Sequence, residues 1–404
     1  MRRRTRKAAF IAAMAVAVGV GTMATNAASA AGTCNIEASG LEAPLSIVQS
    51  SSGSYIVSES GTMSANSGRI SIVDTSGVRR TLIDGLPSGI NDVGDPSGPA
   101  GLFLRGRTMY VAIGVGDVGL IGRDANGNPI PGSDVLNPNG PSSPILSSVL
   151  AIHFSTDVER TASPFSLASA DHDTLSSGRK VTLTNAASER IAIELVTNFE
   201  NAVPLFNPFV ANNVSLSNPF GIIALGSLLY VTDGGRNLVW EVDTGTGDHT
   251  PLVAFPREPN PLFPAVGGPT TDAVPTGIAS ADGYLLVALF RGGPFAPGTS
   301  SVEAIDLLSG TDTRFIAGLK TAIGILPIRD SGDTRYLVLQ NSSGPGPFFG
   351  GPGVLLEFAT PNAAPTVLAD CLTQGPTAMT LDRKSGTLHV TQLDATIVEI
   401  PLAH

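Results

Sequence analysis

The amino-acid sequence predicts an all-β fold, and three observations support this class. Short apolar runs of five or six residues alternate with turn sequences along the chain. Glycine (46 residues) and proline (30 residues) make up nearly a fifth of the 404 residues, against about 12% in average proteins. Long amphipathic helical patterns are scarce. Together these features favour many short strands joined by tight turns.

One four-stranded unit can be read directly in residues 217–255, SNPFGIIALGSLLYVTDGGRNLVWEVDTGTGDHTPLVAF. Its four apolar runs, FGIIAL, LLYVT, LVWEV and PLVAF, are too short for typical helices. The residues between them, GS, DGGRN and DTGTGDH, are typical of turns. The segment therefore predicts an antiparallel four-stranded sheet.

The second strand of this unit occurs six times along the chain. The central positions of the copies are 55, 120, 56, 50 and 53 residues apart. Each copy follows an apolar first strand, and most copies precede a third strand and a turn. The copies are SGSYIVSES (52–60), RTMYVAIG (107–114), GSLLYVTDG (226–234), DGYLLVALF (282–290), TRYLVLQN (334–341) and GTLHVTQLD (386–394).

Six such units repeated around an axis predict a six-bladed β-propeller. A β-sandwich of this size would need two domains, and no linker divides the chain. The interval of 120 residues leaves seven blades as an alternative. We favour an insertion around residues 120–188, because VLAIHF and ERIAIELVTNF supply a third and a fourth strand. The polar segment between those two strands lacks a further copy of the repeat.

The last unit shows only three strands and ends at TIVEIPLAH. The segment NIEASGL (35–41) aligns with the fourth-strand ends LIDGL, FIAGL and LADCL. We therefore predict that this N-terminal strand closes the last blade. Closure would remove an open sheet edge, which is otherwise prone to aggregation.

Residues 1–30 have the pattern of a secretory signal peptide. The cationic stretch MRRRTRK precedes the apolar stretch AAFIAAMAVAVGVG, and Ala28-Ser29-Ala30 fits the small-residue cleavage rule. The apolar stretch is short for a membrane anchor. We expect cleavage near Ala30, a secreted or extracytoplasmic protein, and a single propeller domain over residues 31–404.

The charge balance limits the possible partners. Five of the 24 basic residues lie in the predicted signal, which leaves 19 basic against 34 acidic residues and a net charge of −15. No basic stripe is visible, so we expect neither nucleic acid nor an anionic membrane as partner. No later apolar run reaches membrane length. We expect a monomer that binds a small molecule or a protein at the mouth of its channel.

The two cysteines, Cys34 and Cys371, leave the question of a disulfide open. An even cysteine count in an exported protein favours a bridge. Against it, the strand alignment places the two residues near opposite ends of two outer strands. Bridged Cα atoms must lie within about 7 Å of one another.

Two motifs have partial similarity to ligand-binding loops. GVGDVG (114–119) matches G-x-G-x-x-G, but no helical pattern follows it, so we interpret it as a glycine-rich loop. DANGNP (124–129) begins like a calcium loop with Asp124, Asn126 and Asn128. Proline and valine then replace the expected glycine and glutamate, which favours a solvated turn.

The histidines show no cluster typical of metal or nucleophilic catalysis. DHD (171–173) lies in the polar insertion, where a loop is the simplest interpretation. His389 occupies the tyrosine position of its strand and is interpreted as a structural replacement.

Residues 217–306 resemble the ScyD/ScyE family of exported bacterial propellers. The resemblance is carried by S-N-P-F-G, V-T-D-G-G-x-N, A-V-P-T and G-P-F-x-P-G, and it extends from about residue 40 to the C-terminus. It fails at GPAGLFL and across residues 120–188. The group is distantly similar to NHL-repeat proteins and to calcium-dependent lactonases of the gluconolactonase type. The resemblance implies a fold and an exported location rather than a defined chemistry.

In propellers of this kind, ligands bind where the loops entering the first strands meet the loops leaving the second strands. This implies candidate ligand-binding residues at the channel mouth: Glu42, Glu59, Asp92, Asp95, Asn218, Asp233, Asn237, Arg291 and Asp394. Similarity to the lactonases implies a metal site at Glu42, Asn218 and Asp233, with calcium as the cofactor. Thr276 and Thr321, at the matching positions of other blades, are poor ligands. The alternative is that these polar residues only line a water-filled channel.

Three functions are consistent with these observations. The first is an exported binding or accessory protein for a small organic molecule. The second is a calcium-dependent hydrolase that opens a lactone or an ester, with the metal polarising the carbonyl and activating water. The third is a protein-interaction platform that uses the loops FPREPNPLFP (255–264) and GPGPFF (344–349).

Overall fold

The computed structural model describes residues 32–330, 332–373 and 375–402, so the predicted signal segment 1–30 lies outside the described residues. Almost every regular element is a β-strand. The described residues contain one α-helix, α1 (Ser169–Ser176), and one 3-10 turn (Val158–Arg160). The all-β class predicted from the sequence is confirmed.

The strands follow one another at short intervals from Asn35 to Pro401. The first group is β1 (Asn35–Ser39), β2 (Pro44–Gln49), β3 (Tyr55–Glu59), β4 (Gly68–Val73), β5 (Arg79–Leu86), β6 (Gly89–Ile90) and β7 (Pro96–Ser97). The second group is β8 (Pro99–Arg105), β9 (Thr108–Ile113), β10 (Gly119–Arg123), β11 (Pro129–Leu136), β12 (Ser148–Phe154), β13 (Phe165–Ser166), β14 (Val181–Thr184), β15 (Arg190–Asn198), β16 (Ala202–Pro204) and β17 (Val214–Leu216).

The second half of the chain is more regular. Its strands are β18 (Pro219–Leu225), β19 (Leu228–Asp233), β20 (Leu238–Asp243), β21 (His249–Ala254), β22 (Glu258–Pro259), β23 (Thr270–Thr271), β24 (Pro275–Ala281), β25 (Tyr284–Leu289), β26 (Ser300–Asp306) and β27 (Asp312–Leu319). The remaining strands are β28 (Ala322–Asp330), β29 (Asp333–Gln340), β30 (Gly353–Phe358), β31 (Thr366–Leu372), β32 (Pro376–Asp382), β33 (Thr387–Gln392) and β34 (Thr396–Pro401).

Within the described ranges, the strands form six sheets that each contain a first, second, third and fourth strand. The orders are β2-β3-β4-β5 with β13 beside β5, β8-β9-β12-β15-β14, β18-β19-β20-β21, β24-β25-β26-β27, β28-β29-β30-β31 and β32-β33-β34-β1. A further sheet, β10-β11-β17-β16, and the ladders β6-β7 and β22-β23 lie in the connections.

The first strands of these six sheets contact one another in chain order. Strand β2 contacts β8, β8 contacts β18, β18 contacts β24, β24 contacts β28, and β28 contacts β32. Strand β32 in turn contacts β2, so the series returns to its start. The apolar core lies between neighbouring sheets, where the buried side chains of their second and third strands pack together.

Each first strand has the same irregularity at the same place. The antiparallel register with the second strand shifts near the start of the first strand in all six sheets: between Pro44 and Ser46, Pro99 and Leu102, Pro219 and Ile222, Pro275 and Ile278, Ala322 and Gly324, and Pro376 and Ala378. Proline lacks an N–H donor and suits such bulges.

A small residue occupies the position two after each strand start: Ser46, Gly101, Gly221, Gly277, Gly324 and Ala378. The neighbouring first strand passes close to this position. A Cβ atom on Gly277 would lie 2.6 Å from the carbonyl oxygen of Ile323, and one on Gly221 would collide with that of Thr276. Side-chain hydroxyls also join neighbouring sheets, for example Thr377 Oγ1, which donates to the carbonyl oxygen of Pro44 at 2.9 Å.

The long interval in the second unit contains further strands. As predicted, VLAIHF and ERIAIELVTNF are the third and fourth strands of one sheet, β12 and β15. Between them, β13 pairs in parallel with β5 of the preceding sheet, and β14 extends the edge beside β15. The hairpin β10-β11 leaves the sheet between its second and third strands.

The predicted N-terminal closure is confirmed, because β1 pairs antiparallel with β34 through Asn35 opposite Glu399 and Ser39 opposite Thr396. The structure also contains the disulfide between Cys34 and Cys371, with Cα atoms 5.9 Å apart. The residues before β1 lie against β31, since the backbone N–H of Gly32 donates to the carbonyl oxygen of Leu368 at 2.7 Å. This segment carries Cys34 to the strand that bears Cys371.

Candidate functional site

The connections at one edge of the sheets hold most of the predicted site residues. Antiparallel strands alternate in direction, so the loops that enter the first strands and the loops that join second to third strands emerge at the same edge. We call this edge the mouth. Two kinds of site occur there and in the space that the first strands enclose: polar clusters in the loops and an apolar channel.

Glu59 and Glu42 belong to an ion-pair network beside the first sheet. Glu59 is fully buried, and its carboxylate pairs with Arg69 at 2.7 Å and with Arg79 at 3.1 Å. Glu42 pairs with Arg69 at 3.1 Å, and its backbone N–H donates to Glu59. The two predicted ligands are therefore brought together, but both are neutralised by arginine.

Asp233 and Asn218 are also brought together, in a hydrogen-bonded cluster beside the third sheet. The buried Asp233 carboxylate accepts from the Ser217 hydroxyl at 2.6 Å, the Trp240 indole at 3.0 Å and the backbone N–H of Asn218 at 2.7 Å. Burial raises the pKa of Asp233, while these hydrogen bonds favour its charged form. Asn218 uses its own Oδ1 to accept from the backbone N–H of Val115 at 3.0 Å.

Asn237 and Arg291 hold loops in place. Asn237 donates to Asp272 at 2.8 Å and accepts from the backbone N–H of Val274 at 2.9 Å. Arg291 is 1% exposed, pairs with Glu258 at 2.6 Å and donates to the carbonyl oxygen of Thr299 at 3.0 Å. Asn237 lies in the loop between the second and third strands of the third sheet, and Arg291 lies in the equivalent loop of the fourth sheet. Both side chains bind residues of the connection that precedes the fourth sheet.

Asp92 lies near a second carboxyl group, Asp134, which sequence reasoning missed. Burial and then the charge of Asp92 raise the pKa of Asp134 to about 7, and burial also raises the pKa of Asp92. Asp134 lies on β11, outside the repeat, so no strand alignment could place it at the mouth. The pair favours holding one proton near neutral pH. Asp394, by contrast, is exposed and accepts from Thr396 within its own turn at 2.6 Å.

The motifs with weaker signals have local roles. Asp124 accepts hydrogen bonds from the backbone N–H groups of Asn126 and Asn128, both at 2.8 Å, within the turn between β10 and β11. His172 lies buried in α1 between the Ser143 hydroxyl at 3.0 Å and the Gly85 carbonyl at 2.9 Å. The G-x-G-x-x-G loop leads into strand β10 rather than into a helix.

No group of three or more histidine, cysteine, aspartate or glutamate side chains is placed to hold a metal ion in the described part of the chain. Of the three residues predicted to bind calcium, Asn218 and Asp233 are hydrogen-bonded to each other and Glu42 is paired with arginine. Oδ1 of Asn218, both carboxylate oxygens of Asp233 and Oε2 of Glu42 are engaged in hydrogen bonds or an ion pair, which leaves few oxygen atoms for a calcium ion.

The six first strands line a channel with a cavity of about 370 Å³. Its apolar lining slightly exceeds its polar lining. The apolar side chains include Leu45, Ile47, Phe103, Phe220, Ile223, Ile278, Ile325, Leu326 and Met379, and the polar ones include Ser46, Ser280, Thr380 and Arg383. None of the predicted mouth residues lines this cavity. The alignment of the first strands in the sequence was a signal that they share one location. The sequence does not show which side of each strand faces the channel.

Aromatic side chains lie on the mouth loops of the fourth and fifth sheets. Phe295 stacks on Phe349 with ring centroids 4.3 Å apart, and Phe290 meets Phe295 edge to face at 5.8 Å. The mouth loops also carry most of the exposed large apolar side chains: Met63, Ile90, Val93, Leu120, Leu136, Leu205, Phe206, Phe209, Phe263, Phe348, Phe349 and Leu393. The mouth therefore presents apolar surface around its buried ion pairs.

Comparisons with known proteins place the chain in no family. No family model matches it, and no curated protein matches it. Solved structures similar to it include a nidogen/laminin complex, at 10% identity and a TM-score of 0.42 over 87% of this chain and 99% of the other. A Thermus thermophilus protein described as a putative oxidoreductase (glucose dehydrogenase) is 14% identical, with a TM-score of 0.47 over 91% and 99%.

A third similar structure is the Trypanosoma rangeli sialidase in complex with 2,3-difluorosialic acid. It is 10% identical, with a TM-score of 0.46 over 89% of this chain and 54% of the sialidase chain. At these identities the comparisons assign no activity to the chain. Among the described residues, the structure contains no helix with the length and hydropathy that a membrane crossing requires.

Proposed function

We propose that the chain is a six-bladed β-propeller that binds a small apolar organic molecule in its central channel. Support for six blades comes from the six sheets, their shared bulge and the closed series of contacts among their first strands. The observation that carries the binding function is the channel itself. Apolar side chains interspersed with polar groups are typical of small-molecule sites, and about 370 Å³ suits a small ligand.

The proposal includes export, and the ScyD/ScyE resemblance of residues 217–306 fits a binding or accessory role outside the cytoplasm. The disulfide between Cys34 and Cys371 supports an oxidising compartment. A binding role also agrees better with the mouth than a metal-dependent hydrolase does, since Glu42, Asn218 and Asp233 are engaged in ion pairs and hydrogen bonds.

The test is a fluorescence titration of the mature protein with N-phenyl-1-naphthylamine, a neutral apolar probe. Ser280 lines the channel, so Ser280→Trp should fill it and weaken binding about tenfold or more. Leu308 lies in a turn of the same sheet and is fully exposed, so Leu308→Trp is the matched control and should bind the probe like the parent. Circular dichroism checks that both variants fold. Absence of saturable binding, or equal binding by Ser280→Trp, would refute the channel as the site.

The exposed apolar side chains at the mouth favour a second candidate, a protein-interaction platform. Phe206 is 90% exposed and Phe209 is 71% exposed, both in the connection before the third sheet. If a protein docks there, the double variant Phe206→Ser/Phe209→Ser should lose co-purifying proteins that the parent retains. The control variant Leu308→Ser should retain them. Equal retention by the double variant would exclude these two residues from a docking surface.

A further inference from the structure

A second cavity lies at the edge opposite the mouth, in the seam where the first and last sheets meet. It measures about 660 Å³ and lies between the turn that joins β2 to β3 and the turn that joins β32 to β33. We call it the seam cleft. It shares only Arg383 with the residues that line the channel.

Three titratable side chains form a hydrogen-bonded chain along the wall of the seam cleft. The Tyr55 hydroxyl lies 2.7 Å from Nε2 of His389, and Nδ1 of His389 lies 2.7 Å from Oε2 of Glu37. Tyr55 and His389 are each 4% exposed. Burial, and then the charge of Glu37, raise the pKa of Tyr55, so its hydroxyl keeps its proton and donates to Nε2. When Tyr55 donates to Nε2, the imidazole carries a proton on Nδ1 and donates it to Glu37.

Most of the remaining side chains that line the cleft are polar. Hydroxyl groups predominate and are joined by an amide, two further carboxylates and two exposed cations; the lining contains Ser50, Ser51, Ser52, Thr75, Ser385, Thr387, Gln49, Asp382, Glu399, Arg383 and Lys384. Among the described residues that line the cleft, Leu381 is the one large aliphatic side chain. An apolar ligand of the kind proposed for the channel would leave these groups without hydrogen-bond partners.

We propose that the seam cleft binds a neutral polyhydroxylated molecule, namely a mono- or disaccharide. Sugar hydroxyls both donate and accept hydrogen bonds, which matches a lining of hydroxyls, carboxylates and an amide. The carboxylates of Glu37, Asp382 and Glu399 oppose a polyanionic ligand. The cavity volume of about 660 Å³ lies within the range of about 300–1,000 Å³ typical of small-molecule sites. This site is independent of the channel and of the apolar ligand proposed for it.

The test is saturation-transfer NMR of the mature protein with glucose, galactose, xylose and sucrose, each at about 10 mM so that millimolar affinities are detected. Ser52 is exposed at the rim of the cleft, so Ser52→Trp should block binding without unfolding the protein. Ser227 is exposed in the corresponding turn between β18 and β19, and Ser227→Trp should leave binding unchanged.

A second variant avoids the added bulk. Thr75→Ala/Thr387→Ala removes two hydroxyls from the lining and should weaken binding about tenfold, with an unchanged melting temperature. Binding of any of the four sugars that is lost in Ser52→Trp and weakened in the double variant would establish the site. Absence of saturation transfer to all four sugars, or transfer that Ser52→Trp leaves intact, would overturn the proposal.

Discussion

The hydroxyl oxygen of Tyr55 lies 2.7 Å from Nε2 of His389, although 334 positions separate the two residues along the chain. Tyr55 belongs to the first sheet and His389 to the last, while Glu37, the other partner of His389, belongs to the N-terminal strand. One imidazole therefore joins the three strands that meet at the seam. His389 stands at the tyrosine position of the repeat, and its two ring nitrogens bind Tyr55 on one side and Glu37 on the other.

Removing the Tyr55 hydroxyl should destabilise the seam. In Tyr55→Phe, Nε2 of His389 stays buried without its donor, and we expect the free energy of unfolding to fall by about 1–2 kcal/mol. Denaturant unfolding followed by tryptophan fluorescence measures this loss. Tyr284 is 42% exposed, so Tyr284→Phe serves as the control and should change little. Equal stability of the two variants would show that the hydrogen bond contributes nothing measurable.

Neutralising Glu59 should cost more, because two arginines depend on one buried carboxylate. Glu59→Gln leaves Arg69 and Arg79 partly buried without their shared counter-charge, and we expect a loss of about 3 kcal/mol. Glu200 is exposed, and Glu200→Gln provides the comparison in the same thermal and denaturant unfolding experiments. A loss below about 1 kcal/mol for Glu59→Gln would mean that the network acts like a surface ion pair.

The close approach of the first strands predicts a strict size limit at Gly221. A methyl group there would meet the carbonyl oxygen of Thr276 in the neighbouring sheet, so Gly221→Ala should lower the free energy of unfolding by about 2 kcal/mol. No atom lies within 4 Å of the corresponding position at Gly346, which makes Gly346→Ala a matched control. The prediction is wrong if both alanine variants have the parent's melting temperature.

Deleting residues 32–39 should expose the edge of β34 and cause aggregation, because β1 supplies its pairing partner. Size-exclusion chromatography with light scattering detects the aggregates. The deletion also removes Cys34, so the variant Cys34→Ser/Cys371→Ser separates the effect of the strand from that of the bridge. A monomeric deletion variant, or aggregation of the serine variant to the same extent, would contradict the role assigned to β1.

The carboxyl pair at the mouth predicts a pH dependence of stability. The folded-state pKa of Asp134, about 7, lies above the unfolded value of 3.8, so the folded state binds more protons between these values and loses stability as the pH rises through them. Asp134→Asn removes this loss, and its advantage over the parent should reach about 1–2 kcal/mol at pH 8 and vanish near pH 4, after allowance for solvent screening.

Unfolding curves of the parent and Asp134→Asn across this pH range provide the measurement. Asp312 is exposed, so the free energy of unfolding of Asp312→Asn should have the same pH dependence as that of the parent. A constant difference between Asp134→Asn and the parent would show that Asp134 does not titrate in this window.

The sequence by itself determined the all-β class, the strands of the repeat and the pairing of β1 with the last sheet. It could do so because alternating apolar runs and turn residues act locally, and because a missing fourth strand leaves an edge that must be paired. It did not determine whether Cys34 reaches Cys371, since that depends on the path of three residues before β1 along β31. Nor did it place Asp134 beside Asp92, because the insertion follows no repeat. The channel and the seam cleft were likewise decided by tertiary structure. Each is lined by residues far apart in the chain, so neither lining exists until folding brings those strands together.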